Sequence, residues 1–135
     1  MTSGILSTAS PFLVVNDCDF IGTFVTSYIT FGAGEVGRTR ITGNRMLGTA
    51  AKGIVSTSTV ASWTPLIQGN VIRATGKPID DGGSLFSVVN NRLITAINIG
   101  TTTDGYTFNL ALACGNILTG LNGVAATVPF AVDSE

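Results

Sequence analysis

Gly105-Tyr-Thr-Phe-Asn-Leu-Ala-Leu-Ala-Cys114 is the stretch whose reading decides the fold. Tyr106, Phe108, Leu110, Leu112 and Cys114 take every second position, with Thr107, Asn109, Ala111 and Ala113 between them. Successive side chains of a β-strand point to opposite faces, so one face is large and apolar and the other small. Just upstream, Leu93, Thr95, Ile97 and Ile99 alternate in the same way, and Gly100-Thr-Thr-Thr-Asp104-Gly105 is rich in turn formers. The pair reads as a β-hairpin with a long loop.

Working outward, the same pattern recurs along the chain. Phe12–Val15 is a short apolar strand, and Phe20–Phe31 carries bulk on both faces, which suits a strand covered on both sides. Arg38–Thr42, Ile54–Trp63, Val71–Thr75, Leu85–Val89, Ile117–Leu121 and Val124–Val132 continue the series, the last broken by Pro129. Gly43-Asn44, Gly69-Asn70, Asn90-Asn91, Gly115-Asn116 and Asn122-Gly123 each signal a turn. Asp80-Asp81-Gly82-Gly83 reads as the strongest loop. Arg45–Gly53 is the least strand-like piece, a helical turn or loop that Gly48 and Gly53 keep short. No internal repeat or linker is evident. Short strands at this spacing predict an all-β, single-domain antiparallel β-sandwich or small jelly-roll-like barrel over residues 12–135. Residues 1–11, rich in Ser, Thr and Gly and ending at Pro11, read as a flexible N-terminal arm.

Composition narrows the function. Of the 135 residues, 44% are hydrophobic and only 11% charged, and the net charge is −1. So few charges fit a surface largely covered by neighbouring subunits, and near-neutrality favours association. A chain without a basic stripe predicts no nucleic-acid partner. The Arg38, Arg40 and Arg45 cluster reads as charged strand edges that discourage unwanted pairing. The start lacks the basic and apolar regions of a secretory signal, and no apolar run is long enough to span a bilayer, so no membrane partner is expected. Cys18 and Cys114 read as two thiols, Cys114 buried as a small hydrophobe and Cys18 exposed in a polar turn.

Catalytic chemistry finds little foothold. The absence of histidine removes the usual Ser-His-Asp and Cys-His systems and His-containing zinc sites. Gly32-x-Gly34-x-x-Gly37 matches a dinucleotide fingerprint in form, but Arg38–Thr42 after it reads as a strand, where a helix is required. Gly76-Lys77 is followed by Pro78, so the phosphate-loop pattern fails as well. Asp80 and Asp81 are adjacent and point apart on extended backbone, unlike a glycosidase pair. Asp17-x-Asp19 lacks further oxygen ligands for calcium because Ile21 breaks the series. Trp63, Tyr28 and Tyr106 resemble a sugar platform less than core aromatics.

These exclusions lead to an expectation of no catalysis, no cofactor, no metal and no small-molecule substrate. The chain reads as a structural subunit of a self-assembling particle, a homo-oligomer or partner of other subunits. Its composition has the general character of bacteriophage virion proteins of the head-decoration or tail-structural type, which would place it in the virion. The alternatives are an extracellular filament or appendage subunit at the cell surface, and a module binding carbohydrate or protein through its loops. The expected assembly contacts are Phe12, Leu13, Val14 and Val15 beside the arm, and Thr107, Asn109, Ala111 and Ala113 on the small face of the opening strand.

Overall fold

The computed structural model describes residues 1–8, 12–32, 39–57, 65–95, 106–120 and 131–132, with backbone only at 81–86, 95, 106–113, 118–120 and 131–132. Three short strands make one coil, and the chain then climbs to the next. The first coil contains β1 (Ser3–Ser7), β2 (Val14–Asn16) and β3 (Asp19–Phe20). The second holds β4 (Thr23–Phe31), β5 (Arg40–Thr42) and β6 (Arg45–Met46), and the third β7 (Thr49–Ser56), β8 (Leu66–Gln68) and β9 (Val71–Ala74). In the fourth, the long β10 (Ile79–Val89) serves two faces before β11 (Arg92–Thr95). β12 (Tyr106–Cys114) and β13 (Ile117–Gly120) form the fifth, and β14 (Ala131–Val132) begins another.

Among the described residues every strand pairing is parallel, each strand lying on its counterpart one coil away. β3, β6, β9, β11 and β13 form one hydrogen-bonded sheet. The other strands form a nine-stranded sheet that β10 and β12 carry across two faces, so the coil has three sides. The molecule is a parallel β-solenoid, in which each coil touches mainly its neighbours.

This arrangement overturns the antiparallel sandwich or jelly-roll barrel expected from the sequence. β11 does not pair with β12: it lies between β9 and β13, while β12 pairs with β10 and β14. Alternation reports that a strand has two unlike faces, and it is silent on whether the neighbouring strand runs the same way. Arg45–Gly53 is neither helical turn nor loop, since it spans β6 and most of β7. Asp80-Asp81-Gly82-Gly83 lies within β10, where the register against β12 slips between Asp80 and Leu85. The turn chemistry there produces a strand irregularity in place of a loop. Within the segment read as an arm, Ser3–Ser7 is β1, paired with β4.

Solenoid geometry requires like residues to stack at like positions, and the interior rows do so. Ile5, Ile29, Ile54 and Ile79 are in register on one side. Val15, Ile41, Ile67 and Val88 stack on the second, and Phe20, Met46, Ile72 and Leu93 on the third. All but the half-buried Ile5 are buried. Each fully buried aliphatic side chain contributes about 1.5–3 kcal/mol, so these rows are the principal stabilising element.

The corner between the second and third sides is one residue in the left-handed region: Asp17, Gly43, Gly69, Asn90 and Gly115, with φ of 52°, 67°, 66°, 54° and 64°. Glycine, asparagine and aspartate are the residues that enter this region most readily, which explains why they recur here.

Candidate functional site

The residue after each of the last four corners is an asparagine, Asn44, Asn70, Asn91 or Asn116, whose side chain connects the coils. Asn44 Oδ1 accepts the Cys18 amide N–H at 3.0 Å. Asn70 Oδ1 accepts from the Asn44 amide and from Asn44 Nδ2, both at 2.9 Å. Asn91 Oδ1 accepts from the Asn70 amide and Nδ2 at 3.0 and 2.9 Å, and Asn116 Oδ1 does the same for Asn91 at 3.0 Å. Each Nδ2 also donates to a strand carbonyl: Val15 from Asn44, Ile41 from Asn70, Ile67 from Asn91 and Val88 from Asn116. Asn44, Asn70 and Asn91 are buried, and each neutral amide has its donors and acceptor satisfied as such burial requires. The steps between ladder members are 26, 26, 21 and 25 residues. Sequence reasoning saw each Gly-Asn or Asn-Asn pair as an isolated turn and missed the recurrence, which is the internal repeat of the chain.

The ladder ends at Cys18, whose side chain offers no amide; its thiol donates to the Asn16 carbonyl. Below it, β1, β2 and β3 are all edge strands among the described residues. Leu6, Phe12, Val14 and Ile21 are exposed on this coil, at 66%, 55%, 58% and 83%. An edge with outward apolar side chains is a template for further pairing. Of the expected assembly residues, Phe12 and Val14 therefore face solvent, Leu13 packs against the core and Val15 is part of it. The side chains of Thr107, Asn109, Ala111 and Ala113 lie outside the described residues, although β12 has a backbone neighbour on each side. Arg40 is exposed on β5, and Arg45 pairs with Asp19 at 3.6 Å. Cys18 and Cys114 are both free and exposed. Cys114 was expected to be buried, yet it is in register with Val89, one residue past the interior position of Val88, and so falls on the outward row.

Of the acidic candidates, Asp17, Asp19 and Asp80 have structural roles, and the Asp81 side chain lies outside the described residues. Asp17 forms a corner, and Asp80 takes Lys52 on one carboxylate oxygen and Lys77 on the other, the latter at 3.5 Å. Among the described residues no group of three or more His, Cys, Asp or Glu side chains converges on a metal position. Arg40–Thr42 after the Gly32–Gly37 segment is strand β5. A cavity of about 240 Å³ is lined by Gly48, Thr49, Ala50, Arg73, Ala74 and Thr75. Its one charged side chain, Arg73, donates from Nε to the Gly48 carbonyl at 3.3 Å and from Nη2 to the Leu47 carbonyl.

Inside the lower coils, Phe20, Phe24 and Tyr28 meet edge to face, with ring centroids 5.2–6.4 Å apart. Tyr28 is fully buried and its hydroxyl has no hydrogen-bond partner. Burial pushes its pKa up to about 12, against a smaller opposing effect of the Arg73 charge. Because the folded value exceeds the unfolded one, Tyr28 lends stability in full below about pH 10, and this contribution fades as pH rises toward about 12. Absorbance titration at 295 nm is expected to show tyrosinate from Tyr28 only near pH 12, together with unfolding; ionisation near pH 10 in the folded protein would contradict this.

Comparison with known proteins returned no matching family model, no matching curated protein and no matching solved structure.

Proposed function

We propose that the chain is a non-enzymatic structural subunit that acts by assembling. The observation that supports this most is the open first coil, with three edge strands and outward Leu6, Phe12, Val14 and Ile21. The low charge content and near-neutral balance favour the same reading. The asparagine amides inside the coil bind one another and the backbone, and the exposed Arg73 at the cavity binds backbone carbonyls, so these polar groups serve the fold. A solenoid extends along one axis, which suits a rod-like element of a virion, such as a tail-structural protein, better than a globular decoration. An appendage subunit at the cell surface is the alternative, on the same edge-strand argument.

Light scattering on the purified chain tests this. Multimers are expected, with a Leu6→Lys/Val14→Lys double variant shifted toward monomer, because charge on an edge strand blocks pairing. A monomer at every concentration would overturn the proposal.

A further inference from the structure

Among the described residues the first coil carries three open strand edges, and the bonds it makes to the second coil fix which backbone groups those edges present. The Leu13 carbonyl accepts from the Arg40 N–H at 2.8 Å, and the Asp17 N–H donates to the Thr42 carbonyl at 3.1 Å. Successive residues of a parallel strand address opposite neighbours, so Val14 and Asn16 turn their N–H and C=O groups to the open side. The Asn16 carbonyl takes only the Cys18 thiol, a weak donor. By the same alternation Ser7, Cys18 and Phe20 bond to the second coil, and Leu6, Asp19 and Ile21 turn away from it. Five of the seven large hydrophobic side chains exposed among the described residues also lie on this coil: Met1, Leu6, Phe12, Val14 and Ile21. Unpaired backbone edges beside apolar side chains call for another set of strand edges as their cover.

We propose that the cover is the first coil of a second copy, turned over about a two-fold axis through Val15; the inference rests on the self-association reading above and gives the contact its symmetry. The axis runs across the solenoid, so β2 pairs antiparallel with β2 of the other copy and β1 lies over β3. Val14 then faces Asn16 of the other copy, in a pair that exchanges backbone hydrogen bonds. The two Val15 side chains meet inside and continue the row of Val15, Ile41, Ile67 and Val88 across the junction.

The pitch of the coil selects this arrangement. The chain climbs about 4.8 Å per coil, so β1 sits about 1.6 Å below β2 and β3 about 1.6 Å above it. Centring on β2 cancels these offsets, because the low strand of one copy meets the high strand of the other. An axis through β1 would hold β2 and β3 about one strand spacing too far apart, and an axis through β3 would drive β1 into β2. Charge agrees with the choice. Over the described first two coils Asp17 and Asp19 balance Arg40 and Arg45, and Asp19, already paired with Arg45, comes to lie over β1, which has no acid. Area agrees too. The coil from Asn70 to Asn91 takes 21 residues. At ordinary strand rise its perimeter is roughly 70 Å, and a triangle of that outline with its side chains covers roughly 650 Å². Two such ends bury roughly 1,300 Å², within the range of specific complexes.

Sedimentation equilibrium on the full chain tests the pairing. The parent is expected to form dimers and to stop at two, because each copy spends its one first coil. Val14→Lys sets a lysine against Asn16 of the other copy and is expected to weaken dimerisation about tenfold or more. Val14→Lys/Asn16→Asp sets each lysine against the aspartate of the other copy and is expected to return the affinity to within about threefold of the parent. Circular dichroism checks that each variant keeps its strands. A double variant as weak as Val14→Lys would overturn the antiparallel register. Multimers that keep growing with concentration would overturn the closed pair and leave self-association standing. A parent chain that stays monomeric would overturn both.

Discussion

Asn70→Ala is expected to destabilise the protein by about 3–6 kcal/mol, several times the effect of an average substitution. The side chain occupies the middle of the ladder and serves both neighbouring coils. Its removal leaves the buried Asn44 amide N–H and Nδ2 without their shared acceptor, and strips the Ile41 carbonyl of its Asn70 donor. Each buried group left unsatisfied costs about 1–3 kcal/mol, and a domain has only about 5–15 kcal/mol in total. Urea unfolding measures this as a lower midpoint. Asn70→Asp keeps an acceptor but buries a carboxylate beside Asn91 Oδ1, so its stability is expected to rise as pH falls and the carboxyl becomes neutral. Thr42→Ala, which removes only an exposed bond to Asn16, is expected to cost less than about 0.5 kcal/mol. Equal losses for Asn70→Ala and Thr42→Ala would mean that the ladder is not a stabilising element.

Gly53→Ala is expected to cost about 3 kcal/mol or more although it adds one methyl group. A Cβ on Gly53 would fall well inside contact distance of the Pro78 carbonyl oxygen, on the coil above, and of Ile72 Cγ2 across the interior. The Pro78 contact is backbone and cannot swing aside. Relief requires the third and fourth coils to separate, which strains the Gly53 N–H bond to the Lys77 carbonyl and the Ile54 N–H bond to Pro78. Ala51→Val on the same strand is exposed and adds bulk where strands favour it, so its effect is expected within about 0.5 kcal/mol. Thermal unfolding of the two variants side by side checks this. A Gly53→Ala protein as stable as Ala51→Val would refute the close approach.

These two positions show what the sequence could and could not reveal. Strand identity is legible: Phe12–Val15, Phe20–Phe31, Arg38–Thr42, Leu85–Val89 and Tyr106–Cys114 read as extended, and strands lie at Val14–Asn16, Thr23–Phe31, Arg40–Thr42, Ile79–Val89 and Tyr106–Cys114, because burial on one face imposes a two-residue period. Strand partners are not, because period-2 patterning carries no direction. Gly53 looked like a helix limiter, since nothing local shows that another coil presses on it. The ladder was present in the sequence as Gly43-Asn44, Gly69-Asn70, Asn90-Asn91 and Gly115-Asn116. Its spacing of 26, 21 and 25 residues hid it, because connections of different length enter at the other corners. An even repeat invites recognition, and an uneven one resembles a set of unrelated turns. For the expected contact residues, alternation explains the split: Phe12 and Val14 face out, Leu13 and Val15 in.

The parallel coil with its asparagine ladder underlies every other statement about this molecule, and side-chain amide NMR tests it most directly. Asn44, Asn70, Asn91 and Asn116 are expected to show nuclear Overhauser contacts between successive members, 26, 21 and 25 residues apart, and the buried Asn44, Asn70 and Asn91 amides are expected to exchange slowly with solvent. Amide protons that exchange at the rate of free asparagine, with no contacts among the four residues, would contradict the fold.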